Sequence, residues 1–580
     1  MAVLSATLLA ASAVAAASAA AAASAAAASP AAAPPGAAPV VQTDCGPVSG
    51  AVDLARWSAA PVFRYSAIPF AKPPLGDLRW RAPAARQCPW SGTLNGSEVP
   101  QECVQSHGTS GSEDCLYLHV VRPTADPPVG GWPVLVYFHG GNLISGGTPG
   151  MLAPSAVMAN EVAGGAVVVA VAYRLNTLGW LADPSFDAEP GNVAGNWGAL
   201  DAIAGLEWVQ ANVNAFGGDK ARVTIFGQSS GGTLIFTLLA MPRASGLFAG
   251  AYSMSGSPNI TLSHAAKLAQ DAPVIAALGC AGKAVGPERA ACLRALPAPM
   301  IGAAMPGSWG TPGIFGWLPS GIPPPSAGGM AYAGIMHVDG TLVTSSLIDA
   351  LIRQTVNASV VISNMEAECD GGPAIVVRNQ TADEWAATVA AAFRTWPGGG
   401  SAQASAVVAG YAGEAAVDVQ LAYDAISADY GLTCAGRAIG QALAGAPRSR
   451  PIYLLYNALQ ESPRQWSPSG NSRWPKHGLD LGLLGRGWGQ PPTPADLNEA
   501  ALMQSFLGDF AVTGGVLPTS WQWPPVAGPG SPAGQLWTMV FALPDGFPGG
   551  GVRAVLDFKA EQCGPSVLGD LASQPYWWVD

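Results

Sequence analysis

The stretch that most restricts the fold runs from RVTIF (222–226) through Gly227-Gln228-Ser229-Ser230-Gly231-Gly232 into TLIFTLLA. RVTIF reads as a buried strand and the apolar run after the glycines as a helix. So few residues lie between them that the chain must turn sharply, and glycine on either side of the serine fits a turn where a Cβ would strike neighbouring backbone. Such a turn holds its central residue in a strained conformation with the side chain projecting, which makes Gly-x-Ser-x-Gly between strand and helix a nucleophile elbow. Taken alone, the pentapeptide would be an ordinary glycine-rich loop; the flanking strand and helix select Ser229 as a nucleophile. Ser230 is the rival serine, and its expected contribution is its backbone N–H.

The alternation extends along the chain. PVLVYF (133–138) ends abruptly at His139-Gly140-Gly141, and the valine-rich AVVVAVAY (166–173) has no helical period, so both read as central strands. Between Asn196 and Asn214, Leu200, Ile203, Leu206, Trp208 and Val209 recur at helical spacing. Strands alternating with helices predict an α/β fold with a mostly parallel sheet covered on both faces. With 580 residues, 49% of them hydrophobic and 11% charged, the chain can bury a large core. Residues 1–38 read as an alanine-rich leader and 39–580 as one catalytic domain, without internal repeats. The glycine- and proline-dense stretch from Ala303 to Gly329 reads as a long surface excursion.

A net charge of −11 with no basic run excludes nucleic acid as a partner, because counterion displacement needs clustered Lys and Arg. The first 29 residues carry no charge, are rich in Ala and Ser and offer A-x-A cleavage sites, which predicts a signal peptide rather than a membrane anchor. The terminal PYWWVD is neither an ER-retention nor a lipid-anchor signal. Sequons at Asn95, Asn259, Asn357 and Asn379 add to the expectation of a glycosylated protein, secreted or held in an endomembrane lumen.

A serine attacking a carbonyl also needs donors for the oxyanion that develops. The loop His139-Gly140-Gly141-Asn142 after the first strand offers inward backbone N–H groups, so Gly141 and Asn142, together with Ser230, are the expected donors.

Further segments occur in order: IPFAKPPLGDLRW (68–80), EDCLYLHV (113–120), YFHGGN (137–142), AYRLNTLGWL (172–181), GNWGALD (195–201), WVQANVNAFGGDKARVTIFGQSSGG (208–232) and SMSGSPN (253–259). With these, the chain from about Cys45 to Cys563 resembles the type-B carboxylesterase and cholinesterase family. The resemblance implies an α/β-hydrolase fold, a large central sheet flanked by helices, and a Ser-His-Glu triad. Of the six histidines, His477 in KHGLDLGLLG is similar to the family's His-Gly-x-Glu-Leu element, which makes it the general base. The acid lies after the strand VVIS, among Glu366, Glu368 and Asp370. Resemblance of HVDG (337–340) to a landmark about thirty residues before the family's glutamate favours Glu368. The family's disulfides match Cys103 with Cys115 and Cys280 with Cys292, and the cholinesterases' third matches Cys434 with Cys563. Cys45 and Cys88 then pair by exclusion, leaving Cys369 free.

Gln228 stands where the family usually has Glu, Ser230 where it has Ala, and Asn142 where it has a third Gly. The loop between Cys103 and Cys115 lacks the Trp on which cholinesterases stack choline, which points to a general carboxylesterase acting on a small or medium uncharged ester. No metal or cofactor is implied. The rival function is a non-catalytic adhesion relative such as the neuroligins, which lack a complete triad.

Overall fold

The computed structural model describes residues 38–564, except 307–334, 371–376, 395–399, 460–473, 543–550 and short interruptions at 55, 59, 109, 259, 369, 445, 488–489, 530 and 532–534. The leader, the Ala303–Gly329 excursion beyond residue 306, Asn259 and Cys369 therefore lie outside the described residues, wholly or in part.

Among the described residues the main sheet has eleven strands. They are β1 (Ala51–Asp53), β2 (Val62–Pro69), β3 (Tyr117–Pro123), β4 (Trp132–Phe138), β5 (Val167–Val171), β6 (Gly218–Gln228), β7 (Gly250–Met254), β8 (Ser359–Met365), β9 (Ile452–Ala458), β10 (Trp537–Ala542) and β11 (Gly551–Leu556). Their spatial order is β11-β10-β9-β8-β7-β6-β4-β5-β3-β2-β1. Seven adjacent strands, β10 to β5 in that order, run parallel, and the strands at both edges are antiparallel. This is the mostly parallel sheet of an α/β-hydrolase fold. The three strands read from the sequence lie where expected, and β4 and β5 are buried along their whole length.

Burial on both faces explains their unbroken apolar runs. Because successive residues point to opposite sides, Val134, Val136 and Phe138 of β4 join one core while Leu135 and Tyr137 join the other. Helices α1 (Leu152–Glu161), α2 (Trp197–Asn212), α3 (Ser230–Leu239) and α4 (Pro494–Val512) cover the sheet. α2 and α3 pack into the first core, α1 and α4 into the second.

The chain leaves β4 toward β5 on one side and returns to place β6 on the other. The C-terminal ends of β4 and β6 therefore flank a switch point, where adjacent loops diverge and leave a crevice. Phe138 pairs with Gly227 there, so His139 and Ser229 emerge side by side.

Candidate active site

Ser229 sits between β6 and α3 at φ 62° and ψ −131°, a left-handed conformation that non-glycine residues seldom adopt. Its N–H donates to the Met254 carbonyl at 2.8 Å, and its own carbonyl accepts from Gly232 and Thr233 in the first turn of α3. The glycines are required sterically. A Cβ on Gly231 would lie 2.2 Å from the Phe138 carbonyl oxygen, and one on Gly227 would lie 2.6 Å from the Gly231 carbonyl carbon. The elbow thus presses against the end of β4 with no room for a side chain, and Ser229 starts a helix whose positive dipole end favours developing negative charge.

Gly140 packs against this elbow, with a Cβ there 2.9 Å from Ser229 Cβ. Gly141 has φ 116°, and Asn142 and Leu143 both have φ 58°. The Gly141 carbonyl is taken up by the N–H groups of Ile144 and Ser145 and by Ser145 Oγ, and Asn176 N–H fixes the Leu143 carbonyl at 2.8 Å. Among the described residues, the N–H groups of Gly141, Asn142 and Ser230 take no protein acceptor. His139 turns away from the crevice: its ring is buried, stacks on Tyr173 at 4.4 Å, and is held neutral by burial, which lowers its pKa to about 4.

The third part comes from two loops far apart in the chain. His477 Nδ1 lies 2.5 Å from Glu368 Oε2, across 109 residues, and Glu368 Oε1 accepts the Met365 N–H at 2.7 Å. The Glu368 side chain is fully buried. The loops are also joined through backbone, by a bridge between Ala367 and Lys476 and by Ala367 N–H donating to the Pro475 carbonyl at 3.0 Å. Gly478 brings this pair to the elbow, since a Cβ on it would lie 3.5 Å from the Gln228 amide carbon.

The competing carboxylates point elsewhere. Glu366 faces Lys559, Asp429 and Glu414, and burial pushes its pKa up to about 7. Asp370 accepts from Gln420 Nε2 and the Trp474 N–H, each at 2.6 Å. Asp480, which the sequence did not single out, lies fully buried beside the pair; burial first, then the charge of Glu368, raises its pKa to about 7. Among the other histidines, His264 Nδ1 and His337 Nε2 meet at 2.9 Å and His264 Nε2 meets Asp187 at 2.9 Å, a pairing across 73 residues that no local pattern announces.

Four disulfides join Cys45 to Cys88, Cys103 to Cys115, Cys280 to Cys292 and Cys434 to Cys563. No group of three His, Cys, Asp or Glu side chains suited to a metal occurs among the described residues. No described helix is long and apolar enough to cross a membrane.

The sequence matches the Carboxylesterase family over residues 37–535. The chain belongs to that family. Among curated relatives, pig liver carboxylesterase (Sus scrofa) is 40% identical over 234 residues, 37% of this chain and 40% of the relative. Mouse pyrethroid hydrolase Ces2a (Mus musculus) is 38% identical over 229 residues, 37% of this chain and 39% of the relative. The fumonisin B1 esterase of Sphingopyxis macrogoltabida is 40% identical over 189 residues, 31% of this chain and 34% of the relative. The chain thus spans well under half the length of these relatives. The matches favour a general carboxylesterase over a cholinesterase.

Proposed function

We propose that this chain is a carboxylic-ester hydrolase in which Ser229 is the nucleophile, His477 the general base and Glu368 the acid that orients it. The observation that carries this reading is the strained Ser229 at the switch point, with the Glu368–His477 contact alongside. With Glu368 on Nδ1, that nitrogen carries the proton and donates it, which leaves Nε2 to accept the Ser229 proton. Ser229 Oγ bonds to the ester carbonyl carbon, and the oxyanion forms facing the N–H groups of Gly141, Asn142 and Ser230. Collapse breaks the bond to the alkoxy oxygen, which leaves with the proton held on His477. Water, deprotonated by the same histidine, then splits the acyl-enzyme into acid and free Ser229.

The substrate proposed is an uncharged ester of small or medium size, with the Asn142 side chain narrowing the crevice. An oxidising compartment, outside the cell or in an endomembrane lumen, suits four disulfides. The test is covalent labelling. A fluorophosphonate should label the wild type and not Ser229→Ala, and hydrolysis of p-nitrophenyl acetate by the variant should fall by about 10⁵-fold or more. Equal labelling of both proteins would remove Ser229 from the mechanism.

A further inference from the structure

The side chain of Ser230 faces away from the crevice and into the loop that carries the other two oxyanion donors. Its Oγ accepts the Leu143 N–H at 3.0 Å, in a fully buried setting. At the other end of the loop, Tyr173 O–H donates to the His139 carbonyl at 2.6 Å. Leu143 has only its N–H to give, so the Ser230 oxygen is the acceptor.

The loop is therefore tethered twice, by Leu143 N–H to Ser230 Oγ and by Tyr173 O–H to the His139 carbonyl. His139 and Leu143 are the two ends of the loop His139-Gly140-Gly141-Asn142-Leu143. The loop needs such a closure, because Asn142 and Leu143 both hold positive φ without being glycine, a conformation that persists only where surrounding contacts over-determine it.

We propose that Ser230 serves the oxyanion site twice: its backbone N–H is a donor, and its hydroxyl, by holding the Leu143 N–H, is a positioning group that clamps the Gly141–Asn142 loop at the height of the oxyanion. This rests on the reading of Ser229 as nucleophile. It predicts a cost specific to the charged transition state, since the ground-state ester makes little use of the loop N–H groups.

The experiment compares Ser230→Ala, Ser230→Thr, Tyr173→Phe and the Ala/Phe double variant, with active sites counted by fluorophosphonate titration. For a p-nitrophenyl ester, Ser230→Ala and Tyr173→Phe should each lower kcat by about 10- to 100-fold, short of losing a donor outright, with KM nearly unchanged. Affinity for an alkyl trifluoromethyl ketone, which forms a tetrahedral oxyanion on Ser229, should fall by the same factor. The double variant should lose more than either single one, because the two contacts hold opposite ends of one loop. Ser230→Thr, which keeps the hydroxyl, should recover much of the loss. Unchanged kcat and ketone affinity in Ser230→Ala would overturn the proposal. So would a drop in melting temperature alone with normal turnover per titrated site. Hydrolysis surviving in Ser229→Ala would instead sink the nucleophile assignment, which separates the two failures.

Discussion

Ser229 is held by its own backbone, whereas His477 is held by a carboxylate 109 residues away. At the elbow, the restraints are close contacts between the ends of β4, β6 and β7 and the first turn of α3. Where Glu368 meets His477, the described parts of the loops after β8 and β9 are joined by that contact, by Trp474 N–H donating to Asp370 and by one isolated bridge. Strain that is local can be written in a few adjacent residues; a charge pair between distant loops cannot. The two halves should therefore fail in different ways.

Apart from the loss of Ser229 itself, the largest effect expected is on the charge pair. Glu368→Gln should lower kcat by about 10⁴-fold, because an amide can present its N–H to His477 Nδ1 and favour the wrong tautomer. Glu366→Gln should change turnover little, since that side chain faces Lys559 and Asp429. Steady-state kinetics of the two variants checks this, and the reverse ranking would move the acid role to Glu366.

The elbow should break sterically instead. A methyl on Gly231 would stand 2.2 Å from the Phe138 carbonyl oxygen, so Gly231→Ala must move β4 or α3. Displacements on the order of 1 Å cost about 10²-fold in rate, and the melting temperature should fall with the activity. A Gly231→Ala protein with normal turnover would dissolve the distinction between the two regions.

The elbow was legible in the sequence because glycine, serine and glycine between strand and helix describe one turn completely. The acid was narrower than a family pattern but wider than one residue, and its assignment to Glu368 came from spacing to HVDG. The contact with His477 now sets Glu368 apart from Glu366 and Asp370 by what each touches. Three features were beyond reach: the Ser230 hydroxyl on the Leu143 N–H, buried Asp480 and the His264–His337 pair. Each depends on which side chains the sheet brings together across tens of residues, and no periodicity carries that information. The Cys45–Cys88 pairing, reached by exclusion alone, is present.

Asp480 gives a smaller test of the charge-pair region. Its carboxyl titrates near 7 in the folded protein against about 3.9 when unfolded, so between those values the native state holds a proton that the unfolded chain has released. Its contribution is intact below pH 4 and is lost as pH rises through 7, at up to about 1.4 kcal/mol per pH unit. Asp480→Asn should remove that slope. Urea denaturation at pH 5 and pH 8 measures it, and equal slopes for variant and wild type would show that the carboxyl is not protonated in the fold.

The smallest effect belongs to the oxyanion loop. Asn142→Gly keeps the positive φ and the N–H while removing the side chain, so p-nitrophenyl acetate should be turned over within a few-fold of wild type and longer acyl chains faster. A loss of about 10²-fold on short and long esters alike would mean that the Asn142 amide itself binds the oxyanion.

Three of the disulfides close segments of 43, 12 and 12 residues that contain none of Ser229, Glu368 or His477. The fourth, Cys434–Cys563, spans 129 residues and encloses His477. In a chain-entropy picture, such a long closure removes about 5 kcal/mol of conformational freedom from the unfolded chain, more than either short one. Ser229, Ser230, Gly141 and Asn142, by contrast, come from residues 139–232, a stretch that contains no cysteine. A reductant would thus act on the two halves unequally: the search for a native arrangement widens most for the segment that carries the base, while the elbow keeps its route home.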